Sequence, residues 1–207
     1  MPTLPENRIY LASRSLRRRE LLKQIGVNFE MLLLREGPRR ISDLDETPQE
    51  GELPIEYARR IARAKVDVAQ SKLALRKLPP LPVLAADTVV ALDKTIFGKP
   101  QNAEEAEIML RALSGKTHRV LTVVAVASGQ KMEMRLSDTT VRFRALADRE
   151  IALYLAGGEG ADKAGGYAIQ GMAAVFIEEI CGSYSGVMGL PLFETASLLQ
   201  EFGIEIL

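Results

Sequence analysis

The sequence predicts an α/β fold: a mixed, twisted β-sheet flanked by helices, forming two lobes around a cleft. Three observations predict it. Segments with strand-like and helix-like apolar spacing interleave along the chain. Residues 83–92 form a nearly continuous apolar run, as a strand covered on both faces would. Turn-forming residues around Asp93 and Lys94, and again at 128–131, mark hairpins that break a purely parallel pattern.

Taken in order, residues 9–12 read as a short strand, and 17–25 as a helix carrying Leu21, Leu22 and Ile25, stopped by Gly26. Residues 27–34 read as a second strand and 37–54 as a long acidic surface loop. The segment 55–77 places Ile55, Ala58, Ile61, Ala62, Ala69 and Leu73 along one side of an amphipathic helix, with Arg59, Arg60, Arg63 and Lys72 largely elsewhere. Pro79, Pro80 and Pro82 end it before the 83–92 strand. Asn102 with Glu105 resembles a capping box for a helix ending at Ser114 and Gly115. Strands are expected at 119–127 and 136–143, then a helix at 148–156 capped by Asp148. A glycine-rich segment at 157–171, a strand at 174–180, a turn at 182–186 and a closing helix at 193–202 complete the reading as one two-lobed domain spanning 1–207.

Composition limits the function classes. The 207 residues carry 27 Lys+Arg against 27 Asp+Glu, so the balanced charge argues against a protein that holds nucleic acid through a global field. No apolar run approaches the roughly 20 residues that cross a bilayer. No export signal is visible at the N-terminus, and the single cysteine, Cys181, excludes an internal disulfide or a cysteine zinc cage. A reducing cytoplasm is the expected setting, with Cys181 packed beside Ile180 rather than acting as a nucleophile. His118 is the only imidazole and no G-x-S-x-G elbow, Walker loop or dinucleotide fingerprint is present, which sets aside three common enzyme classes.

Local chemistry remains. Ser13-Arg14-Ser15-Leu16-Arg17-Arg18 lies where a strand hands over to a helix, and unpaired N–H groups, hydroxyls and guanidiniums there make an anion cradle or simply a capped, solvated helix start. Asp87, beside Thr88, is an acid closing an apolar run, where a carboxylate is hydrogen-bonded, metal-bound or catalytic. Asp43, Asp45 and Glu46 in the acidic loop are possible partners for it around an oxygen-loving cation. Lys65 interrupts the apolar rhythm of the long helix, and Lys99 sits between Gly98 and Pro100. Arg17, Arg18, Lys65 and Lys99 could together surround a polyphosphate while Asp87 and a metal organise water.

The segments Leu11-Ala12-Ser13-Arg14-Ser15-Leu16-Arg17-Arg18-Arg19-Glu20-Leu21-Leu22, Ala86-Asp87-Thr88-Val89-Val90, Gly98-Lys99-Pro100, Leu113-Ser114-Gly115-Lys116-Thr117-His118, Asp162-Lys163-Ala164-Gly165-Gly166-Tyr167-Ala168-Ile169-Gln170-Gly171, Gly182-Ser183-Tyr184 and Gly189-Leu190-Pro191-Leu192 resemble the signature blocks of the Maf family of nucleoside triphosphate pyrophosphatases. The resemblance implies a Maf/ITPase-like fold and a cytoplasmic, often dimeric enzyme that cuts a nucleoside triphosphate between its α and β phosphates with a divalent cation, Mg2+ or Mn2+. It implies Asp87 as general base, Ser13, Ser15, Arg17, Arg18, Lys65 and Lys99 as phosphate-site residues, and Glu46 with Asp87 as metal ligands, Glu36 competing for the place of Glu46. Leu16 departs from the usual proline at the first helical turn, which gives up a fixed φ but restores an N–H donor.

Arg17, Thr88 and Gln170 resemble relatives acting on dTTP and UTP. A neutral amide both donates to and accepts from the imide edge of thymine or uracil. The alternatives are a 7-methyl-GTP or other modified-nucleotide pyrophosphatase, and a nucleotide-binding regulator of cell division whose hydrolysis is incidental. A single-strand nucleic-acid binder using residues 17–19 has few stacking platforms, since aromatics are 5% of the chain.

Overall fold

The computed structural model describes residues 7–33 and 44–206. Among them seven strands form one sheet: β1 (Arg8–Leu11), β2 (Asn28–Met31), β3 (Val83–Leu92), β4 (Thr95–Phe97), β5 (Thr117–Ser128), β6 (Lys131–Phe143) and β7 (Ile177–Cys181). The order is β2-β1-β3-β5-β6-β7, with β4 also on β3. β1 runs parallel to β2 and β3, and the remaining pairs are antiparallel. Helices α1 (Leu16–Gln24), α2 (Pro54–Arg76), α3 (Ala103–Leu113), α4 (Asp148–Ala156), α5 (Tyr184–Met188) and α6 (Leu192–Gln200) cover it. The mixed-sheet expectation holds. No helix among the described residues is long and apolar enough to cross a membrane.

One edge of β3 is shared by two short strands with a gap between them. β1 pairs only with Val83 and Leu84, and β4 only from Val90 to Leu92. The other edge is laddered to β5 throughout, from Val83 opposite Ala127 to Ala91 opposite Arg119. Residues 85–89 therefore face an opening on one side, and Asp87 lies in it. The acid stands inside the strand rather than closing it, as the apolar run had suggested.

Side-chain alternation assigns the two faces. Val83, Ala85, Val89 and Ala91 pack with Leu121, Val123, Ala125 and Ala127 against the Tyr57, Ala58, Ile61, Ala62, Val66, Ala69 and Leu73 stripe of α2. Asp87 shares the parity of Ala85 and Val89, and Lys65 falls within the angular span of that stripe. Fully buried side chains such as Ile61 and Val66 contribute on the order of 2 kcal/mol each, so the stripe can draw one ammonium toward the sheet provided a partner meets it. On the opposite face, Leu84, Ala86, Val124 and Val126 join α1 and α6 in a second cluster. A third, rich in aromatic rings, joins β5 and β6 to α3 and α4.

Several boundaries move. The expected strand at 174–180 is instead a 3-10 turn, Met172–Phe176, followed by β7. Ala173 and Phe176 are buried three residues apart while Val175 is exposed, a helical rather than an alternating pattern. Cys181 at the end of β7 is exposed, not packed in the core. Asp148 is the first residue of α4; Ala147 takes the cap position, with its N–H donating to Glu150 at 2.9 Å. The expected turn at 182–186 contains the start of α5, capped by Ser183, whose hydroxyl accepts from the Gly186 N–H at 3.0 Å. Within the expected 27–34 strand only Asn28–Met31 is extended in the sheet, and Leu34 lies outside the described residues.

Candidate active site

β1 ends at the gap, and the chain turns at Ser13 into α1. Ser13 Oγ accepts from the Ser15 N–H at 3.2 Å and from Arg18 Nη1 at 3.4 Å, while Ser15 caps the helix by accepting from the Arg18 N–H at 3.4 Å. Leu16 occupies the first helical position and points largely into solvent, so the missing proline costs no packing. No acid occupies the first turn, which leaves its positive end uncompensated beside Arg17 and Arg18.

Arg18 is fixed rather than free. Its Nε donates to the Gly189 carbonyl at 2.7 Å and its Nη2 to Thr88 Oγ1 at 3.2 Å. Thr122, opposite Thr88 in the β3–β5 register, lies 3.0 Å from Thr88 Oγ1 and 2.8 Å from the Gly186 carbonyl. The carbonyl can only accept, so the Thr122 proton goes there and Thr88 donates to Thr122. Burial lowers the guanidinium pKa of Arg18, with Asp87 opposing the shift. Gly189, at φ 117°, brings its backbone against this arginine; a Cβ there would sit 3.6 Å from Arg18 Nε and from Thr88 Oγ1, in a conformation that L side chains rarely adopt. Arg17 donates from Nε to the Met188 carbonyl at 3.2 Å.

Across the gap, Lys65 Nζ donates to Asp87 Oδ1 at 2.6 Å and lies 3.2 Å from Glu46 Oε1. The Asp87 and Lys65 side chains are 11% and 15% exposed, so this pair is shielded from water while Glu46, at 42%, stands at the rim. Glu46 is placed by α2: Tyr57 Oη donates to its carbonyl at 2.9 Å, and Arg60 holds the Thr47 carbonyl at 3.0 Å and chelates Glu52. Burial, then the Asp87 and Glu46 charges, raise the Tyr57 phenol pKa and keep it protonated. Lys99 enters from the turn after β4; desolvation, then the charges of Lys65 and Arg18, lower its ammonium pKa.

These groups share one cavity of about 800 Å³, lined by Ser15, Arg17, Arg18, Glu46, Lys65, Asp87, Thr88, Lys99 and Gln170. An adjoining hollow of about 650 Å³ takes in Ser13 and shares Arg17, Arg18, Lys65, Lys99 and Gln170. Residues picked from six separate segments thus converge. Asp45 also lines the main cavity, but its carboxylate is turned to the Thr47 N–H at 2.9 Å. Glu36 and Asp43 lie outside the described residues. Sequence reasoning missed Tyr57 and Thr122 and gave no role to Asp162 and Lys163, which also line the cavity. Thr122 carried one signal, a lone hydroxyl within the apolar strand run that faces Thr88.

A divalent cation suits this donor set. Asp87 and Glu46 come from different elements, yet oxygens of both already converge on a single cationic atom, Lys65 Nζ. Among the described residues no cluster of three or more His, Cys, Asp or Glu side chains occurs, so these two carboxylates are the groups that could hold such a cation.

The chain is similar to known proteins over nearly its whole length. The family model described as Maf-like protein matches residues 8–202. A dTTP/UTP pyrophosphatase of Nitrosospira multiformis is 59% identical over 204 residues, covering 99% of both chains. One of Nitrosomonas europaea is 56% identical over 206 residues, covering 100% of both. The structure of the Staphylococcus aureus Ham1 protein covers 66% of this chain and 71% of its own, with a TM-score of 0.43 at 17% identity.

Proposed function

The chain belongs to the family of Maf-like proteins, and from that premise we propose that it is a nucleoside triphosphate pyrophosphatase acting on dTTP and UTP, releasing the nucleoside monophosphate and pyrophosphate. One observation carries the chemistry: the shielded Asp87–Lys65 pair opens into the same cavity as Arg17, Arg18 and Lys99.

In this reading the triphosphate lies across the gap beside β3. Arg17, Arg18 and Lys99 offset its charge and, more strongly, the charge that gathers on the departing pyrophosphate. Arg18 is tied to Gly189 and Thr88 before substrate arrives, so little reorganisation is needed at the moment of reaction. Asp87 accepts a proton from the water that attacks the α phosphorus in line with the leaving oxygen. Lys65 orients that carboxylate through Oδ1. Asp87 and Glu46 would hold Mg2+ or Mn2+, which when bound polarises phosphate oxygens. Gln170 meets the imide edge of the base, with Arg17 and Thr88 contributing to selection. The partner is a free nucleotide, and the setting we assign is a homodimer in the cytoplasm.

The test is a panel of dTTP, UTP, CTP, ATP, GTP and 7-methyl-GTP with Mg2+ or Mn2+. Pyrophosphate and nucleoside monophosphate should form fastest from dTTP and UTP. Orthophosphate as the sole primary product would overturn the predicted cut, and a preference for 7-methyl-GTP would overturn the base assignment.

A further inference from the structure

Gln170 is the exposed apex of a segment whose flanks are buried: Tyr167, Ala168 and Ile169 before it and Ala173 after it. Five glycines at 157, 158, 160, 165 and 166 precede it and Gly171 follows, so the backbone has more freedom to lose than most loops and needs tethers to hold one shape. Beside the backbone bond from the Gly171 N–H to the Ala168 carbonyl at 3.1 Å, one carboxylate supplies the side-chain tethers. Glu159 Oε2 accepts from the Met172 N–H at 2.9 Å, and its Oε1 from the Ala173 N–H at 3.4 Å and from Tyr154 Oη at 3.0 Å. Tyr154 Oη in turn accepts from the Ala168 N–H at 3.1 Å. The chain is thus gripped two residues before Gln170 and two residues after it by one connected pair of side chains.

Two further features fit this grip. Lys163 Nζ donates to the Glu159 carbonyl at 2.7 Å, fixing the backbone from which the carboxylate projects. Gly171 is where the carboxylate nests: a Cβ there would lie 2.1 Å from Glu159 Oε2. The ring of Tyr154 is itself anchored against Phe176, 5.4 Å between centroids.

We propose that Glu159 and Tyr154 form a clamp that positions Gln170 for base selection, making Glu159 a specificity-determining positioning residue that need not touch the base. This rests on Gln170 meeting the base, as argued above. A hydrogen-bonding side chain discriminates only when held at the right distance and angle, so loosening its anchor weakens preference before it weakens chemistry.

The test measures pyrophosphate release from dTTP, UTP, CTP and GTP by the full chain and by Glu159→Ala, Glu159→Gln, Tyr154→Phe and Gln170→Ala, with amide exchange followed at 168–173. Glu159→Ala should raise KM for dTTP and UTP and cut their kcat/KM advantage over CTP and GTP by about tenfold, leaving kcat within about threefold, with faster exchange at 168–173. Tyr154→Phe keeps the ring and should act in the same direction; it carries the test if Glu159→Ala fails to fold. Adding Glu159→Ala to Gln170→Ala should cost no further preference. An unchanged preference in both Glu159→Ala and Tyr154→Phe, or an equal loss for every nucleotide, overturns the clamp. Should Gln170→Ala keep the parental preference while exchange still rises in Glu159→Ala, the base-reading role of Gln170 is what fails, and the specificity role of Glu159 falls with it.

Discussion

Asp87 and His118 are both buried titratable side chains on neighbouring strands of one sheet, and the protein treats them in opposite ways. Asp87 is met by Lys65, with Glu46 beyond, at the edge of a cavity. His118 is enclosed by Phe143 and Tyr167, ring centroids 4.9 and 5.5 Å away, with Nε2 2.9 Å from Tyr167 Oη. Desolvation pushes its pKa down to about 4, so the imidazole is neutral at physiological pH. Burial therefore does not by itself mark a working group. What separates the two is a compensating charge and an opening: the acid has both, whereas the histidine serves as one more ring in the aromatic cluster.

The sharpest break of this contrast is Asp87→Asn. It should lower pyrophosphate release by about a thousandfold, the scale of a lost general base, while nucleotide binding stays measurable by calorimetry. Next comes Lys65→Met, which leaves two carboxylates facing each other and should cost about 3 kcal/mol in urea unfolding. Combining it with Asp87→Asn should recover much of that cost, and additive losses would show that the pair is not coupled. Smallest is the effect of His118. Its folded pKa lies below the unfolded value of about 6.5, so the unfolded chain binds the extra proton and stability falls as pH drops through the window from about 6.5 toward 4, by about 2 kcal/mol near pH 5. His118→Phe should flatten that slope without removing activity; unchanged acid sensitivity would assign it to other groups.

Much of this was legible from residue order. The bounds of β3, the course of α2 and the Asn102 cap follow from apolar continuity, helical spacing and a single hydroxyl or amide, all local properties. Lys65 and Asp87 each stood out as a charge on an apolar face. Their meeting was not legible singly, because it depends jointly on the phase of a helix and the parity of a strand 22 residues away. The Met172–Phe176 turn was misread because Ala174, Val175, Phe176 and Ile177 form an apolar run that suits either period, and only packing against the aromatic cluster decides. Glu159 gave no signal at all: an acid among glycines looks solvated until the chain folds back on it.

The adjacency of Asp87 and Thr88 has a consequence for what this chain can tolerate. Alternation sends one toward Lys65 and the other toward Arg18, so the stretch from the last rung shared with β1, at Leu84, works as a ruler. Inserting one residue between Leu84 and Asp87 would carry the carboxylate to the place that faces the guanidinium, and deleting one would bring the hydroxyl to the place that faces the ammonium. Hydropathy would barely register either change, yet both would take from Lys65 the carboxylate that meets it.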